Sequence, residues 1–218
     1  MRHKKPYEAI RNILNRDRNS PPQFSAWLYA VRFLLIFSAS CAIGILIVSN
    51  TDYAPTYGDE IESFFMGFAP SDTASWLYHA VRASLFEVSL LTLSLLSALT
   101  YFCPAIIHTV NLLGGIVSGI CIEAVAGNGM IPQKMILVYV LTASGFAILL
   151  AFWSAELLKL NRQCATGPKK KPSHSIVYVS PVIGRLLKSS LTTFLIFGVF
   201  RLLASLMMTV TAILSHYQ

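Results

Sequence analysis

Six ionisable side chains fall within long apolar stretches of this 218-residue chain, and they are the groups best placed to do chemistry. Charged groups surrounded by lipid are costly, so each needs a partner, access to water or a function. Opposite charges suggest an inner pair of Arg32 with Glu156, and a deeper pair of Arg201 with Glu123 or Glu87. A polar path for protons or substrate is the alternative. The complete set is Arg32, Glu87, His108, Glu123, Glu156 and Arg201.

A proton or substrate path usually places a carboxylate near the middle of the membrane. The sequence predicts Glu87 and Glu123 about four residues below the outer surface, or roughly 6 Å at the helical rise. Arg201 is predicted to lie deepest, near the middle of the last apolar stretch. These depths favour structural ion pairs that hold helices together.

Signals for catalysis are weak. Ser118 beside Gly119 is the closest match to an intramembrane serine nucleophile, but such a site would want a glycine where Ile116 stands. A nucleophile also needs a base within hydrogen-bonding distance. His108 lies on the same predicted helix and His216 at the far end of the chain. The four cysteines and five histidines are scattered without metal-ligand spacing, so we expect no enzyme activity, no metal and no cofactor.

Five apolar stretches must position these side chains. A bilayer core about 30 Å thick requires about 20 helical residues, and each stretch is apolar on all its faces. A composition of 55% hydrophobic and 12% charged residues agrees. The predicted fold is an all-α integral membrane protein, a bundle of five transmembrane helices. The predicted spans are 26–49, 83–102, 105–126, 135–158 and 190–215.

Cations indicate the orientation of this bundle. The tail 1–25 has six Lys or Arg residues against two acids, and the loop 159–189 has seven and no acid. The loop 50–82 has five acids and one arginine. Because Lys and Arg in short loops stay cytoplasmic, we expect a basic cytoplasmic tail (1–25) followed by a single membrane domain (26–218). Its N-terminus is inside, its C-terminus outside, and 50–82 is the outer loop.

The net charge of +7 is explained by anionic lipids of the inner leaflet, and no nucleic acid is needed as a partner. An acidic cytoplasmic protein is the alternative partner. Two short interfacial segments are expected on this side. One is a helix carrying Tyr7, Ile10 and Leu14, and the other is 176–187, broken by Pro181 and Gly184 and leading into the last span.

The outer loop contains one predicted helix. Its apolar side chains recur at helical spacing behind a cluster of acids, which favour a helix start. This helix either caps the bundle or binds an extracytoplasmic partner, because adjacent phenylalanines facing water are a liability. The face consists of Ile61, Phe64, Phe65 and Phe68.

The third span has the features of a close-packing helix. Pro104 begins it after a short uncharged connector, which predicts a tight hairpin with the second span at or below the inner interface. Gly115 and Gly119, with Ser118 beside them, let a neighbouring backbone approach closely. This helix is therefore predicted to be the centre of the bundle or the face of a homo-oligomer.

The order of these parts resembles the stage II sporulation protein M family. The resemblance spans nearly the whole chain as topology, and its matching positions are Pro104, Gly115 and Gly119. Gly114 stands where the family usually has a bulky residue, so the chain resembles a divergent member. The most similar stretch, residues 90–123, is LLTLSLLSALTYFCPAIIHTVNLLGGIVSGICIE.

This resemblance implies a non-enzymatic scaffold in the cell membrane of an endospore-forming bacterium. It would anchor and localise extracytoplasmic peptidoglycan hydrolases at the engulfing mother-cell membrane. The alternative is a small transporter or permease subunit, in which the intramembrane charges line a polar path. Paired charges in a tightly packed bundle would favour the scaffold, and a water-accessible cavity joining those charges would favour transport.

Overall fold

The computed structural model describes residues 23–51, 73–127, 133–165 and 175–216, and these residues are almost entirely helical. Among the described residues, each of the five helices includes a segment long and apolar enough to cross a membrane, so the prediction of five such helices is confirmed. The basic tail and the outer-loop face of Ile61, Phe64, Phe65 and Phe68 lie outside the described residues. The helices are α1 (Gln23–Ser49), α2 (Thr73–Ser97), α3 (Cys103–Gly127), α4 (Gln133–Ala165) and α5 (Ser175–His216).

The helices extend beyond the predicted spans. The second begins at Thr73, ten residues before the predicted start, because the helix continues through the polar positions around Arg82. The segment 176–187, predicted as a separate interfacial piece, is instead the start of the continuous 42-residue α5. Pro181 lies in the second turn of α5, where it removes one backbone hydrogen bond without ending the helix.

The five helices alternate in direction, and α4 packs against all four others. We call the end of the bundle that carries the 98–102 turn between α2 and α3 the turn end, and the opposite end the loop end. Fully buried side chains such as Phe33, Leu91 and Leu150 fill the interior. Large apolar side chains such as Leu96 and Leu191 point outward, as expected where the surrounding solvent is lipid.

The most extensive contact in the bundle joins α1 and α3. A Cβ atom at Gly119 would overlap the backbone carbonyl of Cys41, and one at Gly44 would overlap the carbonyl of Ile116. Only glycine permits backbones to approach this closely. Gly115 and Gly119 therefore pack against α1 of the same chain, which makes α3 a central helix of the bundle.

The turn between α2 and α3 is held in place from α4. The side-chain amide of Asn161 donates hydrogen bonds to the carbonyls of Ala98 and Thr100, each at 2.9 Å. Carbonyls at the end of a helix lack partners within the helix. One side chain of α4 therefore caps the end of α2 and fixes the hairpin that leads into α3.

We expect the Asn161→Ala variant to lose about 1–2 kcal/mol of stability, because two carbonyls lose their donor and water at the membrane boundary replaces it only in part. Unfolding by titration with sodium dodecyl sulfate in mixed micelles measures the change. Gln163→Ala, two residues along the same helix, is the control and should unfold like the wild type. Equal midpoints for both variants would show that Asn161 does not hold the turn.

Candidate functional site

Arg201 of α5 and Glu87 of α2 form an ion pair inside the bundle. The Arg201 Nε and Glu87 Oε2 atoms are 2.9 Å apart, and the two side chains are 15% and 14% exposed. The Arg201 Nε–H group is not aligned for a hydrogen bond to Glu87 Oε2, so the two side chains attract each other mainly through their opposite charges. The Arg201 Nη2 group also donates to the carbonyl of Ala83. The sequence left Glu123 and Glu87 open as partners of Arg201. The structure places Glu87 beside Arg201.

The depth of Glu87 differs from the sequence expectation. Eleven positions separate it from Trp76 and ten from Ser97, the two ends of the span in α2. Glu87 therefore lies near the middle of its span, and the prediction that it lies close to the outer surface is wrong. The depth was wrong because the predicted span began at residue 83. The helix begins ten residues earlier, at Thr73, and this moves Glu87 from near the end of the span to near its middle.

Two further helices contribute polar groups to this region. Tyr139 of α4 lies within electrostatic range of both Glu87 and Arg201, and it shares a hydrogen bond with the thiol of Cys121 on α3. Each of the helices α2, α3, α4 and α5 thus contributes one polar side chain to this region. We call the group formed by Glu87, Arg201, Tyr139 and Cys121 the polar seam.

A second polar contact joins α2 and α5 nearer the loop end. The indole Nε1–H of Trp76 donates to Thr209 Oγ1 at 2.8 Å. Together with the ion pair, this bond fixes the register of α5 against α2. Tryptophan and threonine are common in apolar helices, so neither residue stands out in the sequence as one of a pair.

The remaining predicted ionisable groups lie on other surfaces. Ser49 Oγ of α1 donates to Glu123 Oε1 of α3 at 3.1 Å, at the loop end. His108 Nδ1 lies 2.6 Å from the Pro104 carbonyl of its own helix, and its ring packs edge-on against Phe33 of α1. Glu123 and His108 therefore contact α1, away from the ion pair between α2 and α5.

Glu156 pairs differently from the prediction. Its carboxylate lies 3.7 Å from Lys159 Nζ, one turn along α4. Arg32 is exposed on α1, and within the described part of the chain it forms no ion pair with Glu156. A lysine three residues away on the same helix is already a neighbour, so this local pair needs no contact between helices.

One fully buried polar contact was not predicted from the sequence. Asn111 of α3 donates from Nδ2 to Ser154 Oγ of α4 at 2.8 Å, and both residues are completely buried. The side-chain amide of Asn111 in an apolar helix indicates that a hydrogen-bond partner is present, but no sequence feature identifies Ser154 as that partner. Such bonds between helices stabilise packing in lipid by up to about 1–2 kcal/mol.

The helix-packing residues of α3 differ in their surroundings. Pro104 occupies the second position of the helix, where its missing N–H is harmless. Gly115 and Gly119 are buried against α1, and Ser118 is partly buried. Among the described residues, no three metal-ligating side chains are grouped.

These features define a helical protein of the multi-pass membrane class, with an intramembrane ion pair and a close glycine contact between two helices. No family model, curated protein or solved structure matches the chain.

Proposed function

We propose that this protein is a non-enzymatic membrane scaffold that anchors and localises peptidoglycan-degrading partners during engulfment in endospore formation. The observation that carries the proposal is the pairing of Arg201 with Glu87 inside a bundle whose helices touch backbone to backbone. A body of this kind fixes the ends of α1 and α2, between which the outer loop lies in the chain. The sequence resemblance at Pro104, Gly115 and Gly119 supplies the identity of the partners.

Charges at the two ends support an orientation with the turn end in the cytoplasm. Five cations and one acid, Glu156, lie towards the turn end among the described residues. Because Lys and Arg flanking short loops remain cytoplasmic, the N-terminus would lie inside and the C-terminus outside. The cations are Arg32, Lys159, Arg162, Arg185 and Lys188.

The partner-binding surface in this proposal is the predicted aromatic face of the outer loop. That loop joins the end of α1 to the start of α2, so it emerges at the loop end. The ion pair and the glycine contact fix the helices that flank this loop, and the loop itself would lie outside the membrane. Phe64 and Phe65 are the expected anchors, since buried aromatic side chains dominate binding energy at interfaces.

Replacing both Phe64 and Phe65 with serine should lower the recovery of wall hydrolases at least about tenfold, because losing a binding hot spot costs about 2 kcal/mol or more. The measurement is affinity purification of the tagged full chain from sporulating cells, followed by mass spectrometry and a peptidoglycan-cleavage assay. Met66→Ser, in the same predicted helix but off its apolar face, is the control.

Normal hydrolase recovery with the double variant would remove this face from the interface. Failure of the wild-type chain to recover any peptidoglycan-cleaving enzyme would contradict the scaffold itself. In both cases the amount of the chain in the membrane fraction is measured in parallel, so that loss of insertion is not mistaken for loss of binding.

A transporter subunit is the second candidate, and the position of Glu87 near mid-span favours it. A carboxylate at this depth is what a proton or substrate path requires. Against this role, Glu87 faces Arg201. The polar seam includes Tyr139 and Cys121, but the predicted path residues Glu123 and His108 contact α1 instead. The purification also separates the two functions, because a transporter subunit would be recovered with other transport components and without wall hydrolases.

A further inference from the structure

The turn between α2 and α3 carries an exposed aromatic tip. Tyr101 is 92% exposed and Phe102 is 67% exposed, and their rings pack edge to face with centroids 5.9 Å apart. Leu96 and Leu99, just before them, are exposed as well. Apolar side chains grouped in this way mark a surface that contacts something other than water. We call residues 99–102 the aromatic tip.

The tip is rigid because its backbone carbonyls accept hydrogen bonds both from a side chain of α4 and from N–H groups within the turn. Asn161 donates to the carbonyls of Ala98 and Thr100. Within the turn, the Thr100 N–H donates to the Ser97 carbonyl at 2.8 Å, and the Cys103 N–H donates to the Thr100 carbonyl at 3.3 Å. A turn fixed in this way loses little conformational freedom when it binds, which favours binding.

The tip lies at the boundary of the membrane-spanning region. Asn161 places it level with the last turns of α4, whose apolar span ends at Gln163. Lys159 and Arg162 flank Asn161 on the same helix, and Arg162 donates from Nη1 to the Tyr29 hydroxyl while remaining exposed. Aromatic rings at this depth are typical of membrane interfaces. The cations beside them complement negatively charged lipid.

We propose that the aromatic tip is an interfacial anchor that inserts Tyr101 and Phe102 among the headgroups of anionic phospholipids. The phenol and phenyl rings lie at the base of the headgroups, and Arg162 attracts the phosphates above them, while Lys159 is balanced by its pair with Glu156. This surface is at the opposite end of the bundle from the outer loop. The anchor is therefore independent of the scaffold function.

Photo-crosslinking from the tip tests this proposal. Benzoylphenylalanine replaces Tyr101 in the full chain, which is reconstituted in nanodiscs of equal parts phosphatidylglycerol and phosphatidylcholine. After irradiation, intact mass spectrometry should show lipid adducts with phosphatidylglycerol about fivefold over phosphatidylcholine, the ratio expected from one net positive charge, because Glu156 offsets Lys159. The same probe at Leu203, exposed in the middle of α5, is the control and should capture both lipids equally.

A second variant separates the charges from the rings. Changing Arg162 to glutamine, which leaves Lys159 paired with Glu156, should reduce the preference at position 101 to about onefold while the lipid adducts persist. Absence of lipid adducts at position 101, or adducts only with protein in native membranes, would overturn the anchor. Equal capture of both lipids by the unaltered chain would overturn the role of anionic headgroups. The probe at Phe102 repeats the measurement if substitution of Tyr101 impairs folding.

Discussion

We expect Arg201→Leu to destabilise the folded bundle by about 3–5 kcal/mol, because the substitution leaves Glu87 as a buried carboxylate without its countercharge. The carbonyl of Ala83 also loses the donor that Arg201 provides. Reversible unfolding by sodium dodecyl sulfate in mixed micelles, followed by tryptophan fluorescence, measures the change in free energy.

The double variant Arg201→Leu with Glu87→Leu is the matched control. Replacing both members of a buried pair with apolar residues of similar size is often neutral or stabilising. We therefore expect the double variant to unfold close to the wild type, and the single variant far below it. A single variant as stable as the wild type would show that the ion pair does not hold α2 against α5.

The second large effect is expected at the contact between α1 and α3. In Gly119→Ala, the added methyl group would overlap the Cys41 carbonyl, so that the two backbones must move apart. Overpacking of this kind costs about 1–3 kcal/mol, and we expect the upper part of that range because the obstacle is backbone. The same unfolding titration measures it.

Gly198→Ala provides the matched control, since a Cβ atom there meets nothing within 4 Å. The change is chemically identical and lies in a helix in both cases. Alanine is favoured over glycine in helices by about 0.8–1.0 kcal/mol, so this variant should be as stable as the wild type or slightly more stable. Equal losses in both variants would mean that the α1–α3 contact is looser than described.

Hydropathy was sufficient to predict the number of helices, because the requirement for about 20 apolar residues is local to each segment. The position of α2 was less predictable. Arg82 and the polar residues before it obscured ten helical residues, and this error displaced Glu87 from the middle of its span. The predicted depth of Glu87 thus depended on where α2 begins.

Contacts between helices were predicted only in part: Arg32 does not pair with Glu156, and the partner of Arg201 was left open between Glu123 and Glu87. Arg201 required a carboxylate, but the choice of Glu87 over Glu123 depends on α5 packing against α2 and α4. The glycines of α3 indicated a close neighbour without showing that it is α1. The partners Asn161 and Ser154 depend on how α4 crosses the other helices, and no local pattern carries that information.

The pairing of α1 with α3 has a consequence for biosynthesis. Of α1, α2 and α3, the one synthesised first packs most extensively against the one synthesised last, with α2 between them in the chain. Helices in membranes insert first and associate afterwards, so α1 forms its most extensive contact only after α3 has been inserted. Its contact surface suits this delay, because Gly44 and the residues around it carry no charge that would need an earlier partner.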